Sequence, residues 1–396
     1  MAPRHRKING SSDESSAIGS NAVPKPSKQK KNQDSKSGTT LLRRCCGTLK
    51  YLLLLVIVPP FLNYASLQKE KTELKPDGEL YDIGWGQNLF MKCHGVGPPT
   101  VLLDSPTGMT SDVWSKVWPE VSKHAKVCVY DRAGLGFSDR PSLNSSKTNE
   151  TNSREWQPFT VERMAADLHR LITSSSQQPK PFIIVGAELG ATVAQFYTQM
   201  YESDIVGLIL INPLTETLFE QDQGVWSQYW FGQLIPTYQT LQLGAALGLT
   251  RLALLLGVLK HPLVNTNIDT DIEYRQKHLL CHPRHLSTVV DEHHFINDSF
   301  SQIKTVRLLK SISSEISVSI VTGNYYDEQM PSSLNKAWAK TEQQLISKHF
   351  PNAQHLVVNG ADHHMIYKQP EDVSQVIIKM IKQYKSHVKS SQNKKY

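Results

Sequence analysis

The sequence predicts a doubly wound, mostly parallel α/β sheet with a helical insertion, preceded by a membrane anchor. Three observations predict it. Six short runs are apolar through their middles: "TVLLDS" (100–105), "KVCVYD" (126–131), "PFIIVG" (181–186), "IVGLILIN" (205–212), "ISVSIVTG" (316–323) and "QHLVVNG" (354–360). Strands read this way when helices cover both faces of a sheet. Helical patterns alternate with them at 112–124, 160–174, 191–202, 332–349 and 370–386, the βαβα order of a parallel sheet. Finally, about 100 residues, roughly 214–312, separate two consecutive strands, far more than one crossover helix needs.

These patterns divide the 396 residues in order. A basic tail (1–44) is followed by a transmembrane anchor (45–68). The sheet domain comes in two parts, 78–213 and 313–386, around a helical cap (214–312), and a short tail closes the chain (387–396). The first 50 residues carry eleven Lys/Arg against three acids, +8; the whole chain is +7, so the remainder is 7 − 8 = −1. The basic character therefore belongs to the tail and gives no reason to expect a nucleic-acid partner. Its Ser, Asn, Lys and Gly content predicts disorder.

The run from Tyr51 to Leu67 has no formal charge, follows Arg43, Arg44 and Lys50, and holds Pro59–Pro60. It predicts a single-pass anchor with the tail cytosolic and the folded part lumenal or extracellular. Glycosylation sequons at Asn144, Asn149 and Asn297 all follow the anchor. Cys45 and Cys46, on its basic side, are palmitoylation candidates. Cys93, Cys128 and Cys281 are an odd number, which implies no disulfide framework, and Cys128 is expected as plain core. The cap stretch 231–261 is apolar with few charges. Two arrangements suit it: an apolar face packed on the sheet domain, or a cap that dips into the bilayer or lines a lipid-sized pocket.

Four segments in order, "VYDRAGLGFSDRP" (129–141), "FTVERMAADLHRLI" (159–172), "IIVGAELGATVAQFY" (183–197) and "NGADHHMIYKQPEDV" (359–373), resemble the α/β-hydrolase superfamily. They are most similar to its capped, esterase- and lipase-like branch, over about residues 78–386. The resemblance implies no cofactor and no metal. It places a nucleophile on the elbow "VGAELG" (185–190), between Gly186 and Gly190, and there this sequence has Glu188 instead of serine. It implies His363 as base, with His364 the alternative, and Asp327 as the acid that orients it, beside Glu328; Glu216 is the alternative acid. The oxyanion donors it implies are the N–H of Leu189 and one from "LLDSPTG". Aligned directly, that second position is Pro106, which has no N–H; a one-residue shift brings in Thr107 or Gly108.

No G-x-S-x-G occurs anywhere in the chain, so the nucleophile has not moved. A carboxylate attacks an ester poorly, since an anhydride results, but attacks an sp³ carbon well, as in relatives with Asp at the elbow. Three readings follow. Serine-type catalysis is lost, leaving a binding, scaffolding or trafficking protein with a possible protein partner. Alternatively, an active hydrolase of lipid-like esters or epoxides uses Glu188 with His363. In the third, an unrecognised residue supplies a serine-type activity. Cap tyrosines facing Glu188 (Tyr229, Tyr238 or Tyr274) would favour the second, and a plugged pocket the first. Glu188 can also simply cap the helix that follows it.

Overall fold

The computed structural model describes residues 35–393 apart from 85, 142–156, 177, 265, 267, 325, 328 and 329, with the side chains of 35–49, 52 and 55 excluded. Asn144, Asn149, Glu328 and the side chains of Cys45 and Cys46 lie outside the described residues. The chain divides into two units, residues 1–54 and 55–396.

A long helix, α1 (Ser35–Glu73), leads in. The expected 45–68 span falls within it, yet among the described residues no helix is long and apolar enough to cross a membrane. Next come β1 (Glu79–Asp82), β2 (Asn88–His94), β3 (Thr100–Asp104), α2 (Trp118–Ser122), β4 (Lys126–Tyr130), α3 (Val161–Ser175), β5 (Phe182–Ala187), α4 (Leu189–Met200) and β6 (Ile205–Ile211). Six α-helices then precede the next strand: α5 (Glu216–Tyr229), α6 (Ile235–Ala246), α7 (Leu249–Leu255), α8 (Thr270–Leu280), α9 (Pro283–His294) and α10 (Ile296–Leu309), the last leading back to the sheet. The chain closes with β7 (Ser317–Gly323), α11 (Ser332–His349), β8 (Gln354–Val358), α12 (Met365–Lys368) and α13 (Pro370–Asn393).

The eight strands form one sheet in the order β1-β2-β4-β3-β5-β6-β7-β8. Only β1 and β2 pair antiparallel to their neighbours; every pair from β4 onward is parallel. All six residues of β5 are buried, and the period-2 pleat sends Ile184 to one core and Ile183 and Val185 to the other. One core is shared with α3 and α4, the other with α2 and α13. In α3, Met164, Ala165, Leu168, Leu171 and Ile172 are buried at helical spacing. In α13, Ile377, Ile378 and Ile381 do the same, each worth about 1.5–3 kcal/mol of burial.

The cysteine expectation fails. Cys93 and Cys128 face each other in the β2–β4 register and are joined as a disulfide, leaving Cys281 buried and free. Their partnership is fixed by antiparallel pairing of segments 35 residues apart, which an odd count does not disclose.

Candidate active site

β5 ends in the elbow. Glu188 sits at φ 49°, ψ −113°, a strained conformation for a residue with a side chain. Its backbone is held in place by Glu188 N–H donating to the Ile211 carbonyl and by its own carbonyl accepting from Ala191 N–H in α4. The flanking glycines are sterically required: a Cβ on Gly186 would lie 2.1 Å from the Gly190 carbonyl oxygen, and one on Gly190 2.5 Å from that of Ser105. The turn thus thrusts the Glu188 side chain up into a cavity of about 390 Å³ between sheet and cap. That cavity is open, not plugged, and is lined mainly by cap residues such as Trp230, Leu279 and Leu286. A larger one, about 590 Å³ between Arg307 and His349, does not include the elbow.

Burial pushes the Glu188 carboxyl above the usual carboxylate range; the charge of His364 and hydrogen bonding from Thr107 pull the other way. Thr107 lines the cavity, and its hydroxyl has no partner of ordinary hydrogen-bond geometry. Its backbone N–H also acts on the Glu188 carboxyl. Gly108 is excluded as an oxyanion donor, because its N–H already donates to Glu292 Oε2 at 2.7 Å. Leu189 is the first residue of α4, where an N–H has no intrahelical partner.

The loop after β8 supplies His363 and His364, whose ring centroids lie 3.8 Å apart with the planes tilted by 40°. His363 Nε2 lies 3.5 Å from Asp327 Oδ2, and His364 Nδ1 lies 4.0 Å from the same oxygen. Burial drives the His363 imidazole down to about 4; the neighbouring His364 adds to this and Asp327 opposes it. His363 is therefore neutral at pH 7, as a general base must be. Asn212 Nδ2 donates to the His363 carbonyl at 3.1 Å, tying the end of β6 to this loop. Asp327, His363 and His364 bring one ligand-type atom each within 4.8 Å. Tetrahedral zinc ligands stand about 3.3 Å apart, so a metal there would have to draw the three together.

The alternative acid, Glu216, is elsewhere: it begins α5 and pairs with Lys304 at 2.7 Å. Of the cap tyrosines, Tyr229 and Tyr238 line the cavity. Burial and the Glu188 charge push the Tyr238 phenol up to about 12. Tyr274 is not among them; it is exposed and donates to Glu73. Asn297 is exposed in the first turn of α10, while Ser299 of the same sequon is buried and accepts from Val161 N–H.

One part of the site has no local sequence signal. Arg132, 3% exposed, donates to Asp104 Oδ1 (2.6 Å), to the carbonyls of Ser105 (2.6 Å) and Pro106 (2.7 Å), and to both oxygens of Glu292 in α9 (2.7 and 2.9 Å). This network fixes the loop that carries Thr107 against the cap. Its partners are 28 and 160 residues from Arg132, beyond the reach of any local motif.

Several known proteins are similar. The solved structure of the Cif epoxide hydrolase from Acinetobacter nosocomialis superposes with a TM-score of 0.58 at 15% identity, covering 81% of this chain and 96% of that one. The epoxide hydrolase CorEH, solved without ligand, gives 0.56 at 16%, covering 78% and 99%. At these identities the likeness speaks for the fold alone. Among curated relatives, YbdG of Bacillus subtilis (strain 168), an uncharacterized protein, is 24% identical over 168 residues, 42% of this chain and 47% of that protein. The probable transporter efuK of Hormonema carpetanum is 27% identical over 158 residues, 38% and 21%. The chain thus spans about a fifth to a half of the length of these relatives. The family model described as the alpha/beta hydrolase fold matches residues 93–370, and with the sheet order and elbow above, the chain belongs to the α/β-hydrolase superfamily.

Proposed function

We propose that the protein is a hydrolase that uses Glu188 as a carboxylate nucleophile toward an sp³ electrophile, an epoxide being the best fit, and that it is not a serine hydrolase. The observation that carries this is the placement of Glu188 on a strained elbow, facing an open cavity shared with Tyr238, Thr107 and His363. The carboxylate forms a C–O bond to the epoxide carbon as the ring C–O bond breaks, and Tyr238 protonates the departing oxygen. His363, oriented by Asp327, then takes a proton from water. The resulting hydroxide attacks the ester carbonyl, whose developing charge faces the N–H groups of Thr107 and Leu189. The ester C–O bond breaks and the leaving alkoxide takes the proton held by His363. The diol departs, and the carboxyl proton returns to the Tyr238 phenolate, which regenerates Glu188.

A single turnover in ¹⁸O-water tests this. The expected result is ¹⁸O in the Glu188 peptide and none in the first diol. Label in the diol alone would refute covalent catalysis, and Glu188→Gln should abolish turnover. The raised Glu188 pKa favours a second reading, a binding or trafficking protein for an apolar ligand, because a protonated carboxyl is no nucleophile. On that reading Glu188→Gln leaves ligand affinity intact and the parent turns nothing over.

The charge pattern around residues 45–68 supports attachment to a membrane there with a cytosolic tail. The Cys93–Cys128 disulfide supports an oxidising, non-cytosolic compartment for the folded domain.

A further inference from the structure

We propose that the outer face of the cap is a second membrane contact, a docking surface that lies on a phospholipid bilayer. This rests on the attachment reading above and extends it from the N-terminal run to the cap. The cap's outer face is unusually apolar. On and just after α7, Leu255, Leu256 and Val258 are 77–80% exposed, and Leu243, Leu249 and Leu252 are exposed beside them. A second group comes from α1: Val56, Ile57, Phe61 and Leu62 are all more than half exposed.

The two groups are continuous. A Cβ on Gly248, at the α6–α7 turn, would lie 2.2 Å from the Pro59 carbonyl oxygen, so helix and cap touch at the centre of the patch. Buried polar contacts behind it hold the junction rigid. Asn63 Nδ2 donates to the carbonyls of Ala245 (2.8 Å) and Cys281 (3.1 Å). Arg251 bonds both Asn63 and Glu70, and His278 bonds Glu70 at 2.7 Å. Burial opposes the charge on Glu70, but its bonds to His278 and Arg251 overcome this and hold it down to about 2. The exposed leucines are therefore fixed on the surface and cannot fold inward to hide.

Charge selects the occupant. Residues 35–69 contain no Asp or Glu, and neither do residues 223–268. From residue 55 on, these stretches carry only basic charges, Lys69, Arg251 and Lys260. A second copy of the chain would bring like charges together, whereas a phospholipid bilayer accepts the apolar centre and its headgroup phosphates accept the basic surround. An apolar face of this kind sits about 5–10 Å into the headgroup boundary.

The test uses the full-length chain carrying Cys45→Ser and Cys46→Ser, with one environment-sensitive thiol label at a time on Leu256→Cys, Leu54→Cys or Ser391→Cys. Each is mixed with vesicles of phosphatidylcholine and phosphatidylserine containing doxyl-labelled lipid. Expected is strong quenching at 54 and at 256 and none at 391, with the quenching at 256 weakened several-fold by Leu252→Glu/Leu255→Glu at unchanged thermal midpoint. Quenching at 54 with 256 behaving like 391 would sink the cap proposal and leave the attachment reading standing. No quenching at either would sink both. A shielded label at 256 without lipid, in a protein that runs as a dimer, would assign the face to a second copy.

Discussion

Two clusters of charged side chains meet at the loop that carries Thr107 and are finished very differently. Around Arg132, the hydrogen bonds are all between 2.6 and 2.9 Å, and both carboxylates are engaged. Around Glu188, the distances from the histidines to Asp327 are 3.5 and 4.0 Å, while His364 Nδ1 and the Thr107 hydroxyl have no partner of ordinary hydrogen-bond geometry. A buried network that is saturated holds shape, and removing one member leaves an orphaned charge. Groups left with spare donors and acceptors can instead meet a substrate, at some cost to the folded state. The difference separates a scaffold from a reactive site on either side of one loop.

The largest expected effect lies in the scaffold. Glu292→Ala should cost about 3–5 kcal/mol in denaturant unfolding, because Arg132 keeps only Asp104 against its charge. Pairing it with Arg132→Met should recover much of that loss; no recovery would mean that packing, not charge, is what the network supplies. The reactive cluster should respond in the opposite sense. His363→Ala should cut turnover by about 10²–10⁴ and trap the ester on Glu188, with thermal stability unchanged. His364→Ala should cost less, and a reversal of that order would assign the base to His364.

The smallest effect is the most diagnostic. Burial raises the Glu188 pKa in the folded state, so the protein is stabilised with Glu188 protonated, and that stability is lost as pH rises through the raised value. Glu188→Gln mimics the protonated form. It should therefore raise the thermal midpoint at pH 7 by roughly 2 °C, with the gap closing below about pH 4.3, where the unfolded carboxyl also protonates. A midpoint that falls would place Glu188 with the scaffold.

Much of this was readable from sequence where the signal is local. The central strands are all-apolar runs because both their faces are covered, and Gly186–Gly190 mark an elbow because backbone fills the space a Cβ would need. The β1–β2 edge escaped notice, being short and, in β1, mostly exposed. The Arg132–Glu292 pairing and the Cys93–Cys128 bond escaped because each depends on distant segments meeting. His363 and His364 are adjacent in sequence, and only the fold shows that it is His364 whose charge acts on Glu188. The apolar surplus of 231–261 was plain, but its division between cavity wall and outer face is set by the rotation of α6 and α7.

Because Arg132 closes on a carboxylate 160 residues downstream, the first half of the sheet holds that cation with Asp104 alone for as long as the ribosome has not passed Glu292. Strands that emerge early can pair but cannot become a finished unit, and commitment waits for the insertion. Arrest peptides placed before and after α9 should accordingly register tension only in the longer chain. For this protein the cap is a late instruction in synthesis as well as a roof.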